Sequence, residues 1–205
     1  MTALRAAPTV PVFDIGGVLI DWNPRYLYAK LFDEAEAMER FLAEVCTPAW
    51  NLEQDRGRPW PEAVALLAER HPQQADLIRA YDERWDEMVT DAFWDTVALL
   101  ERAKARGPVH AITNFSADKF RRACDRFPFL TGFDVCVVSG EEGLIKPDRA
   151  IYDLLLARTG LPAEACLFID DAPHNVEGAR AAGMHAVQYE GPERLRAVLE
   201  EYGLV

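Results

Sequence analysis

The chain has 205 residues, half of them hydrophobic, and its 34 acidic against 22 basic side chains leave a formal net charge of −12. That composition can bury a full core, excludes a disordered or fibrous chain, and argues against nucleic acid or an anionic membrane surface as the main partner. A small anionic substrate stays open, because a few oriented cations and backbone N–H groups can outweigh net charge locally.

The chain opens on Met1 to Pro8, which reads as a loose leader without the apolar stretch of a signal peptide. Thr9 to Leu19 follows: an apolar run rises to one carboxylate, Asp14, and falls into Gly16-Gly17. This reads as a strand that presents Asp14 at its tip, since an unpaired charge inside an apolar strand would cost several kcal/mol, roughly. From Asp21 to about Phe93 no strand is expected. Amphipathic helical stretches run Pro24 to Phe32, Glu34 to Cys46, Pro61 to Arg70 and Gln74 to Met88, so residues 21–93 read as a helical block inserted after one strand.

From Trp94 the pattern alternates. A helix over Asp95 to Arg106 precedes the strand Val109 to Ile112, which stops at Thr113-Asn114, and Ser116 is placed to cap the next helix. The run Lys119-Phe120-Arg121-Arg122 reads as the solvated face of that helix. A strand over Phe133 to Val138 leads to Lys146-Pro147, which opens a helix closed by Gly160. Leu167 to Ile169 carries a further strand into Asp170-Asp171; a helix follows from Asn175 to Ala182, and Ala186 to Gln188 forms the last strand. Such alternation predicts an α/β fold, a Rossmann-like doubly wound parallel sheet over residues 1–20 and 94–205, with residues 21–93 as an inserted α-helical block.

In open parallel sheets ligands bind outside the carboxyl ends of the strands. Asp14, Thr113 and Asp170 are expected at such ends, with Lys146 in a connection beside them. Gathered carboxylates repel and call for a cation; Asp14, Asp170 and Asp171 offer the hard oxygens that magnesium prefers. A carboxylate oxygen could then attack phosphorus while Thr113, backbone N–H groups and Lys146 hold the phosphoryl oxygens. Singly, each residue has a plainer reading: Asp171 as a helix N-cap, Thr113-Asn114 as turn chemistry, Lys146 as a loop lysine and Asn175 as support for a helix start.

Asp14-Ile15-Gly16-Gly17-Val18, Ile112-Thr113-Asn114, Lys146-Pro147-Asp148, and Phe168-Ile169-Asp170-Asp171 with Asn175 resemble, in order, the four motifs of the haloacid dehalogenase superfamily of hydrolases. The resemblance implies that Asp14 is a nucleophile and that Thr113 binds the transferring group. It further implies that Lys146 steadies both, and that Asp14, the Gly16 carbonyl, Asp170 and Asp171 bind or position Mg²⁺. The expected activity is a magnesium-dependent phosphatase acting on a small phosphorylated metabolite through an aspartyl phosphate. Most such phosphatases carry a second aspartate where this chain has Gly16, and Gly16 can neither protonate a leaving group nor activate water. Asp21 and His174 are conceivable stand-ins. The same glycine keeps a metal-independent 2-haloacid dehalogenase open, although the paired acids Asp170-Asp171 would repel a carboxylate substrate. A non-catalytic binding protein on the same fold is the third reading. Residues 21–93 look like that family's helical cap, whose Trp22-Asn23, Trp50 and Asp55-Arg56-Gly57-Arg58 are expected to reach the strand ends, an arginine such as Arg56 meeting polar or anionic substrate groups; the plainer reading is an aromatic seam and an exposed charged turn, and residues 20–23 and 92–95 are candidate hinges.

Cys46, Cys124, Cys136 and Cys166 show neither CxxC pairing nor metal-ligand spacing. A cytoplasmic setting, no membrane span, and a monomer or homodimer are expected.

Overall fold

The computed structural model describes residues 7–205; the greater part of the expected leader, residues 1–6, lies outside them. In chain order the elements are β1 (Val10–Phe13), β2 (Ile20–Trp22), α1 (Arg25–Tyr28), α2 (Ala35–Glu44), α3 (Pro48–Asp55), α4 (Trp60–Arg70), α5 (Ala75–Glu83) and β3 (Val89–Ala92). They continue with α6 (Trp94–Lys104), β4 (His110–Thr113), α7 (Ala117–Arg126), β5 (Val135–Val138), α8 (Ser139–Glu142) and α9 (Arg149–Thr159). The chain closes with β6 (Cys166–Asp170), α10 (Pro173–Ala181), β7 (His185–Gln188) and α11 (Pro192–Glu201).

Five strands form one parallel sheet in the order β5-β4-β1-β6-β7. Successive side chains leave a strand on opposite faces, and both faces here are apolar. Val12, Ile112, Val137 and Phe168 pack with Ile151, Tyr152, Leu155 and Val176 of α9 and α10, while Phe13, Ala111, Val138 and Ile169 pack with Val97 and Leu100 of α6 and Leu195 and Leu199 of α11. The chain builds outward from β1 through β4 to β5 and then returns to lay β6 on the other side of β1. That reversal opens a crevice at the carboxyl end of β1, where such sheets bind ligands. The fold is the expected α/β, Rossmann-like architecture.

The segment between β1 and α6 departs from its expected all-helical form. β2 and β3 pair antiparallel, Ile20 opposite Ala92 and Trp22 opposite Val89, so the two chain crossings that lead into and out of the helices form a short ribbon. Each strand is too short to show a period, and their partners are far apart in sequence. The helix expected over Pro24 to Phe32 is regular only over Arg25–Tyr28, Gln74 to Met88 divides into α5 and a 3₁₀ turn at Trp85–Met88, and α3 was not anticipated. Thr47 accepts a hydrogen bond from the Trp50 N–H and Pro48 fills the first turn, the usual start of a helix. Tyr28, Phe41, Trp60, Tyr81 and Trp85 join these helices to the apolar face of the sheet that carries Phe13. The four cysteines are free, and among the described residues no helix is long and apolar enough to cross a membrane.

Leu155 is fully buried against the sheet. Leu155→Ala should therefore lower unfolding stability by about 2–5 kcal/mol in a urea titration, through lost burial and the cavity left behind.

Candidate active site

The strand register assembles the site. Phe13 lies opposite Ile169, and the Asp14 N–H donates to the Ile169 carbonyl at 2.8 Å, so Asp14 leaves β1 beside Asp170 at the end of β6. Thr113 ends β4 and is buried. Lys146 comes from the connection between α8 and α9, and the Asn114 side chain pins it there: its amide donates to the Lys146 carbonyl at 3.1 Å and accepts from the Lys146 N–H at 2.8 Å. The buried Lys146 ammonium then reaches Asp14 Oδ2 at 2.8 Å and Asp170 Oδ2 at 2.6 Å.

Asp170 is further held by the Ala172 N–H at 2.8 Å and by Asn175 Nδ2, which donates to both carboxylate oxygens at 3.0 and 3.1 Å. Burial works against its charge, but Lys146 and these donors hold its carboxyl below the usual range. Asp14 has fewer donors: burial pushes it up to about 8, opposed by Lys146 and reinforced by the charge of Asp170. Lys146 is raised, because its two carboxylate partners outweigh its own burial. Burial and the neighbouring Asp170 raise Asp171 as well.

Ligand oxygens of Asp14, Asp170 and Asp171 lie within 4.8 Å of one another. Three acids around one ammonium leave an excess of negative charge, and an all-oxygen donor set with an exposed member fits a hard divalent cation that keeps part of its water. Asp171 is not a helix cap: Ala172 occupies that position of α10, followed by Pro173. Gly17 makes room for it. The backbone there is left-handed (φ +74°), and a Cβ would stand 2.6 Å from Asp171 Oδ2.

The other sequence-predicted residues separate. Trp22, Gly16 and Asn114 line a cavity of about 70 Å³ together with Asn51, Asp55, Trp60, Trp85, Phe115, Ser116 and Lys119. Arg56 is not among them; it is exposed and pairs with Asp148 at 3.4 Å. Its neighbour Asp55 turns to the cavity instead, accepting from the Ser116 N–H at 3.1 Å and from Asn51 Nδ2 at 2.9 Å. Trp50 belongs to an aromatic seam, edge-on to Trp60 and Tyr81 at 5.7 and 5.2 Å. Lys119 is not solvated: it is buried, bonded to the Asp82 carboxylate and carbonyl, with its ammonium 5.2 Å from the Trp60 ring centre. Ser116 stands at the N-cap of α7 but makes no capping bond; its hydroxyl accepts from Trp60 Nε1 at 2.9 Å. Sequence reasoning brought the turn Asp55-Arg56-Gly57-Arg58 to the strand ends but gave the role to Arg56 rather than Asp55, and it placed Lys119 in solvent rather than in this cavity. The one available signal, a glycine two residues after Asp55, does not by itself say which neighbour turns inward.

Fold and site together define a doubly wound α/β protein with a buried carboxylate at the end of its central strand. Residues 10–183 match the haloacid dehalogenase-like hydrolases, and the chain belongs to that family. A sesquiterpene phosphatase of Aspergillus oryzae is 26% identical over 186 residues, which cover 89% of this chain and 88% of the relative. The chain spans about a third of a longer relative, a drimenol cyclase of Aspergillus calidoustus, at 26% identity. Among solved structures, a haloacid dehalogenase family enzyme of Bacteroides thetaiotaomicron superposes with a TM-score of 0.74 at 20% identity, covering 95% of this chain and 99% of that one. The same enzyme is known in complex with magnesium and inorganic phosphate, with a TM-score of 0.69 at 20% identity and coverage of 90% and 95%. An L-2-haloacid dehalogenase of Xanthobacter autotrophicus superposes with a TM-score of 0.63 at 17% identity, covering 97% and 84%. At these identities the structural likenesses show the fold.

Lys146→Met would leave the buried Asp170 carboxylate without its ion-pair partner and Asp14 without the charge that opposes its burial. It should lower unfolding stability by about 3–5 kcal/mol at pH 7, read as a shift in the urea midpoint of the metal-free protein.

Proposed function

We propose that this hydrolase is a magnesium-dependent phosphatase that acts on a small phosphorylated metabolite through an aspartyl phosphate on Asp14. The observation that carries this reading is the three-acid cluster of Asp14, Asp170 and Asp171 beside the nucleophile position. A cluster of that charge repels a free carboxylate substrate, whereas a divalent cation in it would screen phosphate oxygens and leave one Asp14 oxygen to react.

In this reading the Asp14 carboxylate attacks phosphorus in line with the ester oxygen. Lys146 keeps Asp14 oriented and offers positive charge to the phosphoryl group, and Thr113 donates to a phosphoryl oxygen from the end of β4. Asn114 and Asn175 are positioning residues: the first holds the backbone of Lys146, the second the carboxylate of Asp170. Asp14, the Gly16 carbonyl, Asp170 and Asp171 would hold the magnesium, which supplies charge neutralisation at the phosphate. Residues 21–93 act as the cap, with the β2–β3 ribbon at its base, and Trp22 is the cap residue placed to meet the substrate.

A second reading rests on Gly16. With no side chain there to serve as acid or base, attack on carbon by Asp14, releasing halide from a 2-haloacid, remains the competitor.

Phosphate release from a panel of phosphorylated metabolites should occur with magnesium and vanish on chelation. Asp14→Asn should abolish it while the circular dichroism spectrum is unchanged. Undiminished turnover in that variant would overturn the nucleophile assignment, and metal-independent halide release without phosphate release would establish the dehalogenase.

A further inference from the structure

Cleaving a phosphate ester of an ordinary alcohol requires a proton for the departing oxygen, and cleaving the aspartyl phosphate requires a base for water. Gly16 supplies neither, yet nothing lies within 4 Å of where its Cβ would stand. The open space beside it belongs to the cavity that Asp55 lines, and among the described residues of that lining Asp55 is the sole carboxyl. The two stand-ins suggested by sequence are placed elsewhere: Asp21 accepts from the hydroxyls of Tyr26 and Thr90, and His174 is exposed on α10.

Asp55 is held firmly although it comes from the helical segment. Its carbonyl accepts from the Ser139 hydroxyl, its Oδ1 from the Ser116 N–H and its Oδ2 from Asn51, so the loop after β4 and the start of α8 both grip it. Each carboxyl oxygen has taken one hydrogen bond and retains capacity for another. Resting on the phosphatase reading above, we propose that Asp55 is the catalytic acid and base, performing from the inserted helices the role for which Gly16 has no side chain.

The protons balance as follows. As Asp14 forms its bond to phosphorus and the ester P–O bond breaks, the Asp55 carboxylic acid gives its proton to the leaving alkoxide. The Asp55 carboxylate then takes a proton from water as the water oxygen bonds to phosphorus and the bond from phosphorus to Asp14 breaks. Inorganic phosphate leaves, and Asp55 is again protonated. Burial pushes the Asp55 carboxyl up to about 7, against the opposing pull of the Ser116 N–H and Lys146, so the acid form is available near neutrality.

The test is the leaving-group dependence of kcat/KM for Asp55→Asn in magnesium buffer. Phenyl phosphate, whose leaving group needs a proton, should lose about 10²-fold or more, whereas 2,4-dinitrophenyl phosphate, whose leaving group needs none, should lose far less. With the dinitrophenyl ester the variant should also show a burst of one phenolate per enzyme before a slow steady rate, because hydrolysis of the aspartyl phosphate has lost its base. Gly16→Asp should restore phenyl phosphate turnover to the Asp55→Asn variant, since the space at Gly16 is open. Equal losses on both esters would mean that Asp55 merely latches the helices to the sheet, and would overturn the proposal, as would a variant that matches wild type. The same ratio measured in Asp55→Ser covers a folding defect in the asparagine variant. A wild-type protein that releases phosphate from no ester overturns the phosphatase reading and the role of Asp55 with it; one that releases phosphate while Asp55→Asn behaves as wild type overturns the role of Asp55 alone.

Discussion

One ammonium group organises this protein's site. Lys146 Nζ sits between Asp14 and Asp170, two buried acids delivered by neighbouring strands, and its charge opposes the burial of both. The arrangement depends on the rest of the sheet. The β1–β6 register sets the two carboxylates side by side, Asn114 at the end of β4 fixes the lysine backbone, and Asn175 and the Ala172 N–H complete the shell of Asp170. The unequal result follows from unequal donors: Asp170 stays below the normal range while Asp14 is driven above it. Adding Asp171 leaves the cluster with more negative charge than Lys146 balances, which is the electrostatic condition a divalent cation satisfies.

The helical segment is joined to this centre by apolar packing and by paired polar groups. Trp50, Trp60 and Tyr81 form a seam of rings, and Trp85 continues it to Phe115 at 5.7 Å, next to Asn114. Around the seam, Trp60 donates to Ser116, Lys119 pairs with Asp82, and Arg126 donates to the carbonyls of Val89 and Thr90. Lys119 and Asp82 cancel each other's charge, so the cavity presents aromatic rings and amides around a single uncompensated carboxyl, Asp55. That setting differs from the three-acid cluster at the strand ends.

The strands of the parallel sheet, their order in the chain and the residues at their ends were legible because each is a local pattern: an apolar run stopped by a polar residue and a turn. Asp14, Thr113 and Asp170 were legible for the same reason, whereas Lys146 was legible only as a lysine in the connection after the third strand of the sheet. The β2–β3 ribbon was not, since strands of three and four residues carry no period and gain their stability only from pairing across the whole helical segment. Lys119 reads as solvated from sequence because it opens the basic run Lys119-Phe120-Arg121-Arg122, and what buries that one lysine is Asp82 and Trp60 from other helices.

The sequence by itself determined the α/β alternation, the strand-end carboxylates and the absent side chain at Gly16, because these are set by residue type and short-range spacing. Only the tertiary structure decided which residue at the C-terminal end of α3 faces the cavity. Arg56 turns outward to Asp148 and Asp55 inward to Ser116, a choice made by partners 92 and 61 residues away and invisible to any local pattern.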